Sequence, residues 1–461
     1  MTVTKAATGT SADRGAERSG APAGSRRRLA RTGAVALVAG AVAATVLTAP
    51  AQAGDRIPAE DGKKARHAAT QQAVEAIVAS GTPGVTVTAT DANGVWRSAA
   101  GIGDRETGKK RGANDRFRVA SITKTFVATV LLQMEAEAKL SLDDTVEKWL
   151  PGLIRGNGND GRKITVRQLL NHTSGIYNYT SDPDYQQKYL LDGFLKHRYD
   201  NVPPEYHVKV ALAHAPDFPP GTRFQYSNTG YVLAGMIIER VGGRTYEDEV
   251  RKRIIKPLKL RATANPGDTI RLPGPSSRAY SKLIYGQDAP NAKIHDVTDL
   301  HGSQGWADGD IISSAADLNR FYRALMRGQL LSPPQLKAMK TTGPEGYGLG
   351  LYKGTLSCGT TIWGHGGGGP GTLSESVTTE DGGHQLAFNT NGDWASTPQQ
   401  FINVSEAEFC GRKPGAVKPG AAKSGAAESG AAEPGAVKPG AAKSGTPNTF
   451  GAFRTTTVNR G

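Results

Sequence analysis

The chain has only two cysteines, Cys358 and Cys410, in 461 residues, and they are too far apart in sequence to form a C-x-x-C pair. No H-E-x-x-H occurs either, so no metal-ligand cluster of recognised spacing is present and no metal or organic cofactor is expected. A Gly-Lys-Ser/Thr phosphate loop is missing, and so is a G-x-S-x-G nucleophile elbow. A charged core is missing as well, although the formal net charge is +14. Residues 1–53 carry seven Lys/Arg against two acids (+5), and residues 411–461 carry eight against two (+6), which leaves +3 for residues 54–410. A nearly neutral globular part excludes a nucleic-acid-binding core, so no nucleic-acid partner is expected.

Long apolar runs are scarce too. The one notable run, Gly33 to Thr48, is about 16 residues, against the roughly 20 that a spanning helix needs. It follows the basic cluster Arg26-Arg27-Arg28 and ends on Ala51-Gln52-Ala53, the small-x-small pattern of a signal-peptidase site. Residues 1–53 therefore read as an export signal rather than a retained anchor, and the mature protein is expected to be secreted. That compartment favours pairing Cys358 with Cys410 in a structural disulfide over two free thiols. At the other end, Lys413 to Pro447 is a pentapeptide repeat (KPGAV, KPGAA, KSGAA and variants) too rich in Gly and Pro to pack a core. Residues 411–461 are expected to be a disordered basic tail, either a solvated spacer or a weak contact to cell-wall polyanion.

Between these ends lies ample apolar material for a core, since 38% of residues are hydrophobic. Lys63 to Ser80 has helical spacing, with Val74, Ile77 and Val78 on one face. Gly84–Thr90 alternates as a strand, Asp91–Gly94 is a turn, and Val95–Ala100 returns, a hairpin. From Ser121 the pattern becomes helical, with Phe126, Val127, Val130, Leu131 and Met134 recurring up to Lys139. Val166–Leu170, Tyr231–Val241 and Ala315–Gly328 are further helices, set among loops rich in Tyr, Asp, Pro and Gly. Short β runs follow at Gly348–Lys353, Thr360–Trp363, Ser374–Thr379 and Gln385–Asn389. This order predicts an α+β fold whose antiparallel sheet comes from both chain ends. Residues 54–135 and 305–410 form the sheet region, and 136–304 a mainly helical insertion.

Three short motifs carry chemistry. Ser121-Ile-Thr-Lys124 stands where coil turns to helix, and residues three apart share a helix face, so the Lys124 amine can meet the Ser121 hydroxyl. Alone, S-x-x-K is a chance-level match and such a serine is often only a helix cap. Tyr226-Ser227-Asn228 sits in a polar loop, where a phenol beside an ammonium can act as a base. Trp363-Gly364-His365-Gly366-Gly367-Gly368-Gly369 follows a strand-like run, and bare backbone there lets a linear substrate pair along a strand edge. Turn and core readings compete with each of the last two. Order and spacing strengthen the set: Y-x-N follows S-x-x-K by about 100 residues, and H-x-G follows by about 140 more.

With these motifs, and with DRFRVASITKTF (115–126), ITVRQLLNHTSGIY (164–177), FQYSNTGYVLAGMIIE (224–239) and GYGLGL (346–351), the chain from about Gln72 to Cys410 resembles the penicillin-recognising serine hydrolases. The similar branch holds class C β-lactamases and serine D-alanyl-D-alanine carboxypeptidases, the secreted carboxypeptidase type above all. The resemblance implies a β-lactamase/transpeptidase-like fold and an acyl-enzyme on Ser121, with Lys124 as proton partner and Tyr226 as base. It also implies that Asn228 binds the substrate amide, that His365 shuttles protons, that Gly367 belongs to the substrate-binding strand, and that the Ser121 and Gly368 N–H groups form the oxyanion hole. It places a cysteine after a strand at Cys358 and its partner at Cys410.

The expected activity is D-alanyl-D-alanine carboxypeptidase on peptidoglycan-type peptides, with a peptide or small acyl substrate as partner and a monomer as the default state. One departure opens alternatives. Two carboxylate-binding threonines are replaced by Gly366 and Gly368, and the arginine position falls near Tyr352, with Lys353 beside it. Loss of those groups weakens recognition of a free carboxylate. In Trp306-Ala-Asp308-Gly-Asp310 an acid facing the cleft suits a cationic substrate end instead. A D-aminopeptidase, amidase, esterase or β-lactamase is the first alternative. A non-catalytic wall-binding or penicillin-sensing protein is the second.

Overall fold

A computed structural model describes residues 67–284 and 291–412. The expected export signal at 1–53 and the repeat from Lys413 onward lie outside the described residues, as does the start of the first expected helix. Within them the chain forms α1 (Ala68–Ala79) and then the hairpin β1 (Gly84–Asp91) and β2 (Gly94–Gly101). Alternation of Val85, Val87 and Ala89 with threonines drives β1, and Gly94 at φ +118° completes the turn. A short strand β3 (Arg116–Arg118) leads through a single 3₁₀ turn, Ala120–Ile122, into α2 (Thr123–Ala136). The mainly helical middle includes α3 (Asn228–Gly242). The chain returns through β4 (Ile312–Ser314), which pairs with β3, and α4 (Ala315–Met326). Strands β5 (Tyr352–Thr355), β6 (Thr361–Gly369), β7 (Thr372–Thr379) and β8 (Gln385–Thr390) follow, and α5 (Pro398–Cys410) closes the described chain.

The sheet is six-stranded and antiparallel throughout, in the order β2-β1-β8-β7-β6-β5. The N-terminal hairpin thus docks on strands from the far end of the chain, as the fold expectation requires. Register sets the two faces. Val87, Phe388, Val377 and Ile362 meet Val74 and Ile77 of α1 and Phe401 and Val404 of α5 in one apolar cluster. The other face meets α4, where Asn319 donates to the Thr88 carbonyl (2.9 Å). The larger apolar cluster fills the space between α2, α3, α4 and the helical middle.

Three elements differ from their sequence expectation. Helix α2 is buried on all sides from Thr123 to Leu132, not on one stripe, because it runs through the middle of the molecule. Gly348–Leu351 is not a strand. Gly350 takes φ +69°, its carbonyl accepts from Thr125 Oγ1 (2.6 Å), and a Cβ there would lie 2.8 Å from the Lys124 carbonyl. The glycine run after His365 is no turn but the second half of β6, held by β7 along Gly366↔Glu375, Gly367↔Ser374 and Gly368↔Leu373.

Cys358, after β5, is bonded to Cys410 at the end of α5, 52 positions further along the sequence, with Cα atoms 5.7 Å apart. Closing that loop ties α5 to the sheet edge. Removing both sulfurs (Cys358→Ser with Cys410→Ser) is expected to lower the unfolding free energy by about 2–4 kcal/mol, the range for loop-closing disulfides. Urea denaturation checks it, and an unchanged midpoint contradicts it.

Candidate active site

Ser121 stands in the 3₁₀ turn ahead of α2, and its entry is strained: Ala120 holds φ +49°, a left-handed conformation unusual for a residue with a Cβ. Strand β6 braces this turn. A Cβ on Gly367 would lie 2.1 Å from the Val119 carbonyl oxygen and 3.0 Å from the Ser121 nitrogen, so only glycine permits the approach. The strand itself is left open where it passes the serine. Its pairing with β5 stops at Gly364↔Tyr352, so among the described residues no strand covers the outer edge of 365–369. Gly368 and Gly369 line the cleft beside Ser121. That arrangement suits the expected oxyanion role of the Ser121 and Gly368 N–H groups.

One helical turn on, the fully buried Lys124 ammonium donates to three oxygens: Ser121 Oγ (2.9 Å), Asn228 Oδ1 (2.7 Å) and the Asp308 carbonyl (2.8 Å). It also lies 5.0 Å from the centre of the Tyr226 ring. Burial pushes its pKa from 10.5 down to about 8, against the pull of the Asp308 carboxylate. The amine is therefore poised to lose a proton close to neutrality, in hydrogen-bond contact with the nucleophile.

Tyr226 lines the cleft with Ser121 and Asn228. Its backbone is pinned through His172, which belongs to none of the three motifs. Ser227 N–H donates to His172 Nδ1 (3.2 Å), Gln225 N–H donates to the His172 carbonyl (2.9 Å), and the His172 and Tyr226 rings are 4.2 Å apart. Burial, with Lys124 and His365 nearby, holds His172 neutral, well below the usual imidazole range. Asn228 is the first residue of α3 rather than part of a loop. Its Oδ1 is engaged by Lys124 and its Nδ2 donates to Thr180 Oγ1 (3.1 Å), so the side chain locks the site as well as facing the cleft.

The remaining expected residues lie outside the cleft wall. His365 is 2% exposed and does not line the cleft. Its Nδ1–H points to the Gly366 carbonyl and its Nε2 accepts from the Tyr347 hydroxyl (2.7 Å), so both nitrogens are already engaged. Burial and the Lys124 charge push its pKa down to about 3, which keeps it neutral. Gly366 faces away from the cleft, where a Cβ would lie 2.9 Å from Glu375 Oε2. Tyr352 is buried in the apolar layer beneath β6, and Lys353 lies over the Trp363 ring, 5.6 Å from its centre. Neither forms part of the cleft wall.

The two acids separate. Asp310 turns away, accepting from Asn265 Nδ2 (3.1 Å), and burial raises its pKa well above the carboxylate range. Asp308 lines the cleft, and burial raises its pKa to about 6, opposed by Lys124 and by the Tyr179 hydroxyl. Tyr179, Tyr185, Tyr189 and Arg118 complete the wall and were not foreseen, beyond the general tyrosine richness of the middle loops. Among the described residues no group of three or more His, Cys, Asp or Glu side chains could hold a metal ion.

Comparison with known proteins agrees with this geometry. The Beta-lactamase family profile matches residues 70–396. Penicillin-binding protein 4 of Amycolatopsis lactamdurans is 29% identical over 322 residues, which are 65% of this chain and 78% of that protein. The crystal structure of a D-stereospecific amidohydrolase from Streptomyces sp. is 56% identical and covers 75% of this chain and 99% of its own, with a TM-score of 0.70. A D-amino acid amidase from Ochrobactrum anthropi SV3, complexed with L-phenylalanine amide, is 27% identical and covers 74% and 98%, with a TM-score of 0.63.

The site makes a pH prediction whose sign follows from Lys124. Below about 8 the amine is charged and has no lone pair for the Ser121 proton; above it the neutral amine accepts. On a substrate that does not itself titrate between about pH 6 and 10, kcat/KM should rise tenfold per unit at low pH and level off above about 8. A pH–rate profile checks this, and a flat or falling profile over that range contradicts it.

Proposed function

The chain belongs to the beta-lactamase family of serine hydrolases, and from that premise we propose that it is a D-stereospecific amidohydrolase working through an acyl-enzyme. Ser121 Oγ attacks the substrate carbonyl while its proton passes to Lys124, and the oxyanion is held by the Ser121 and Gly368 N–H groups. The leaving amine takes a proton from the Lys124–Tyr226 pair and departs. Water then attacks the Ser121 ester and gives a proton to the pair, which passes it to Ser121 Oγ as the acid departs.

The observation that carries amidohydrolase over carboxypeptidase is the pair Gly366 and Gly368 with Tyr352 sunk into the core. Gly366 and Gly368 offer no hydroxyl, and the buried Tyr352 no guanidinium, to a terminal carboxylate. The 56% identity to the Streptomyces enzyme points the same way. Carboxypeptidase activity is the second reading, supported by the match to a penicillin-binding protein. Export of the chain is part of the proposal and rests on Arg26–Arg28, the apolar run and Ala51-Gln52-Ala53. Contact of the basic tail with wall polyanion remains a further proposal, resting on charge alone.

The test is a substrate pair with Ser121→Ala as control. D-Phenylalanine amide is expected to be hydrolysed at least about tenfold more efficiently than D-alanine is released from a diacylated L-Lys-D-Ala-D-Ala peptide, a difference of about 1.4 kcal/mol in transition-state binding. Both activities should vanish in the control. The reverse order supports the carboxypeptidase reading and contradicts the first.

A further inference from the structure

The catalytic cleft holds a carboxylate that the acyl-transfer cycle does not use. Asp308 sits on the helical turn Trp306–Gly309, and only its backbone carbonyl serves Lys124. Its side chain is 5% exposed and forms part of the cleft wall. Oδ2 accepts from the Tyr179 hydroxyl (2.7 Å), whereas Oδ1 accepts no hydrogen bond from any described residue, yet it is not among the atoms sealed from solvent. It therefore presents a free lone pair to the cleft.

Charge gives this carboxylate a purpose. Among the described residues it makes no ion pair, and the cation acting on it is Lys124. Catalysis requires Lys124 to be neutral, and in that state a buried anion is left without a counter-charge, a costly arrangement that a bound cation relieves. Position supplies the rest. The Asp308 carbonyl and Ser121 Oγ share one ammonium, so they lie within two hydrogen bonds of each other. The Asp308 side chain lines the same cleft as Ser121, so a cation held there can be an amine one carbon removed from the reacting carbonyl. Tyr179, Tyr185 and Tyr189 also line the cleft, and such an aromatic lining favours an ammonium bearing an apolar side chain.

We propose that Asp308 Oδ1 receives the free α-ammonium of the residue being acylated. The cleft then selects N-terminally unblocked aminoacyl amides, esters and peptides and works from the amino end of a peptide. This rests on the amidohydrolase reading and names its substrate class.

The experiment compares kcat/KM for D-phenylalanine amide and N-acetyl-D-phenylalanine amide in the wild type and in Asp308→Asn. Asparagine keeps an acceptor for Tyr179, and the ratio of the two substrates cancels any effect on Lys124. The wild type should prefer the free amine by at least about 100-fold, and Asp308→Asn should cut that ratio at least tenfold, chiefly through KM. Equal rates in the wild type, or an unchanged ratio in the variant, overturn the inference while the amidohydrolase reading stands. Should Asp308→Asn fail to fold, the wild-type ratio decides. Hydrolysis of neither amide overturns the amidohydrolase reading itself. Calorimetric binding to folded Ser121→Ala then decides the inference: at least tenfold tighter binding of the free amine supports it, and equal Kd values overturn it.

Discussion

The buried ammonium of Lys124 is the contact on which the site depends. Three chain segments end on one nitrogen: the nucleophile turn through Ser121, the start of α3 through Asn228, and the 306–309 turn through the Asp308 carbonyl. A lysine sealed from water is tolerable only when its three donors are met, and here each has an acceptor below 3 Å. The same burial that makes these bonds structurally necessary lowers the pKa. Stability and reactivity therefore come from one arrangement: the clamp assembles the cleft, and the weakness of the buried charge supplies the base.

The sheet holds the other half of the geometry. Strand β6 runs against the nucleophile turn because Gly367 has no side chain to keep it away, and that contact supports Ala120 in its left-handed conformation. Beyond Gly364 the same strand has no β5 partner, which leaves backbone groups for a substrate chain. The strand offers only glycine backbone to the cleft at 368 and 369, and Asp308 and the tyrosines supply polar side chains elsewhere in its lining.

Much of this was legible in the residues, and the limits have physical causes. The S-x-x-K pair could be read because helical spacing alone brings a side chain to its neighbour three residues on. The β1–β2 hairpin could be read because alternation and an Asn-Gly turn are local signals. The second half of β6 could not, since a run of glycines carries no side-chain pattern and only pairing with β7 makes it a strand. The partner of His365, Tyr347, could not be read beside it, because Tyr347 arrives from a loop bent by glycines. Asp308 and Asp310 are two residues apart, and which one faces the cleft is decided by Tyr179 and Asn265, distant in sequence. His172 went unnoticed because its role is to hold the backbone beside Tyr226, which no motif encodes.

The chemistry proposed for the site turns on the state of one amine. Heteronuclear NMR of the folded enzyme, following the Lys124 side-chain shifts with pH and assigned by comparison with Lys124→Arg, measures it directly. A titration midpoint near 8 is the predicted result. A midpoint at the ordinary value of 10.5 would show that burial does not weaken the charge, and Lys124 could not be the base that activates Ser121.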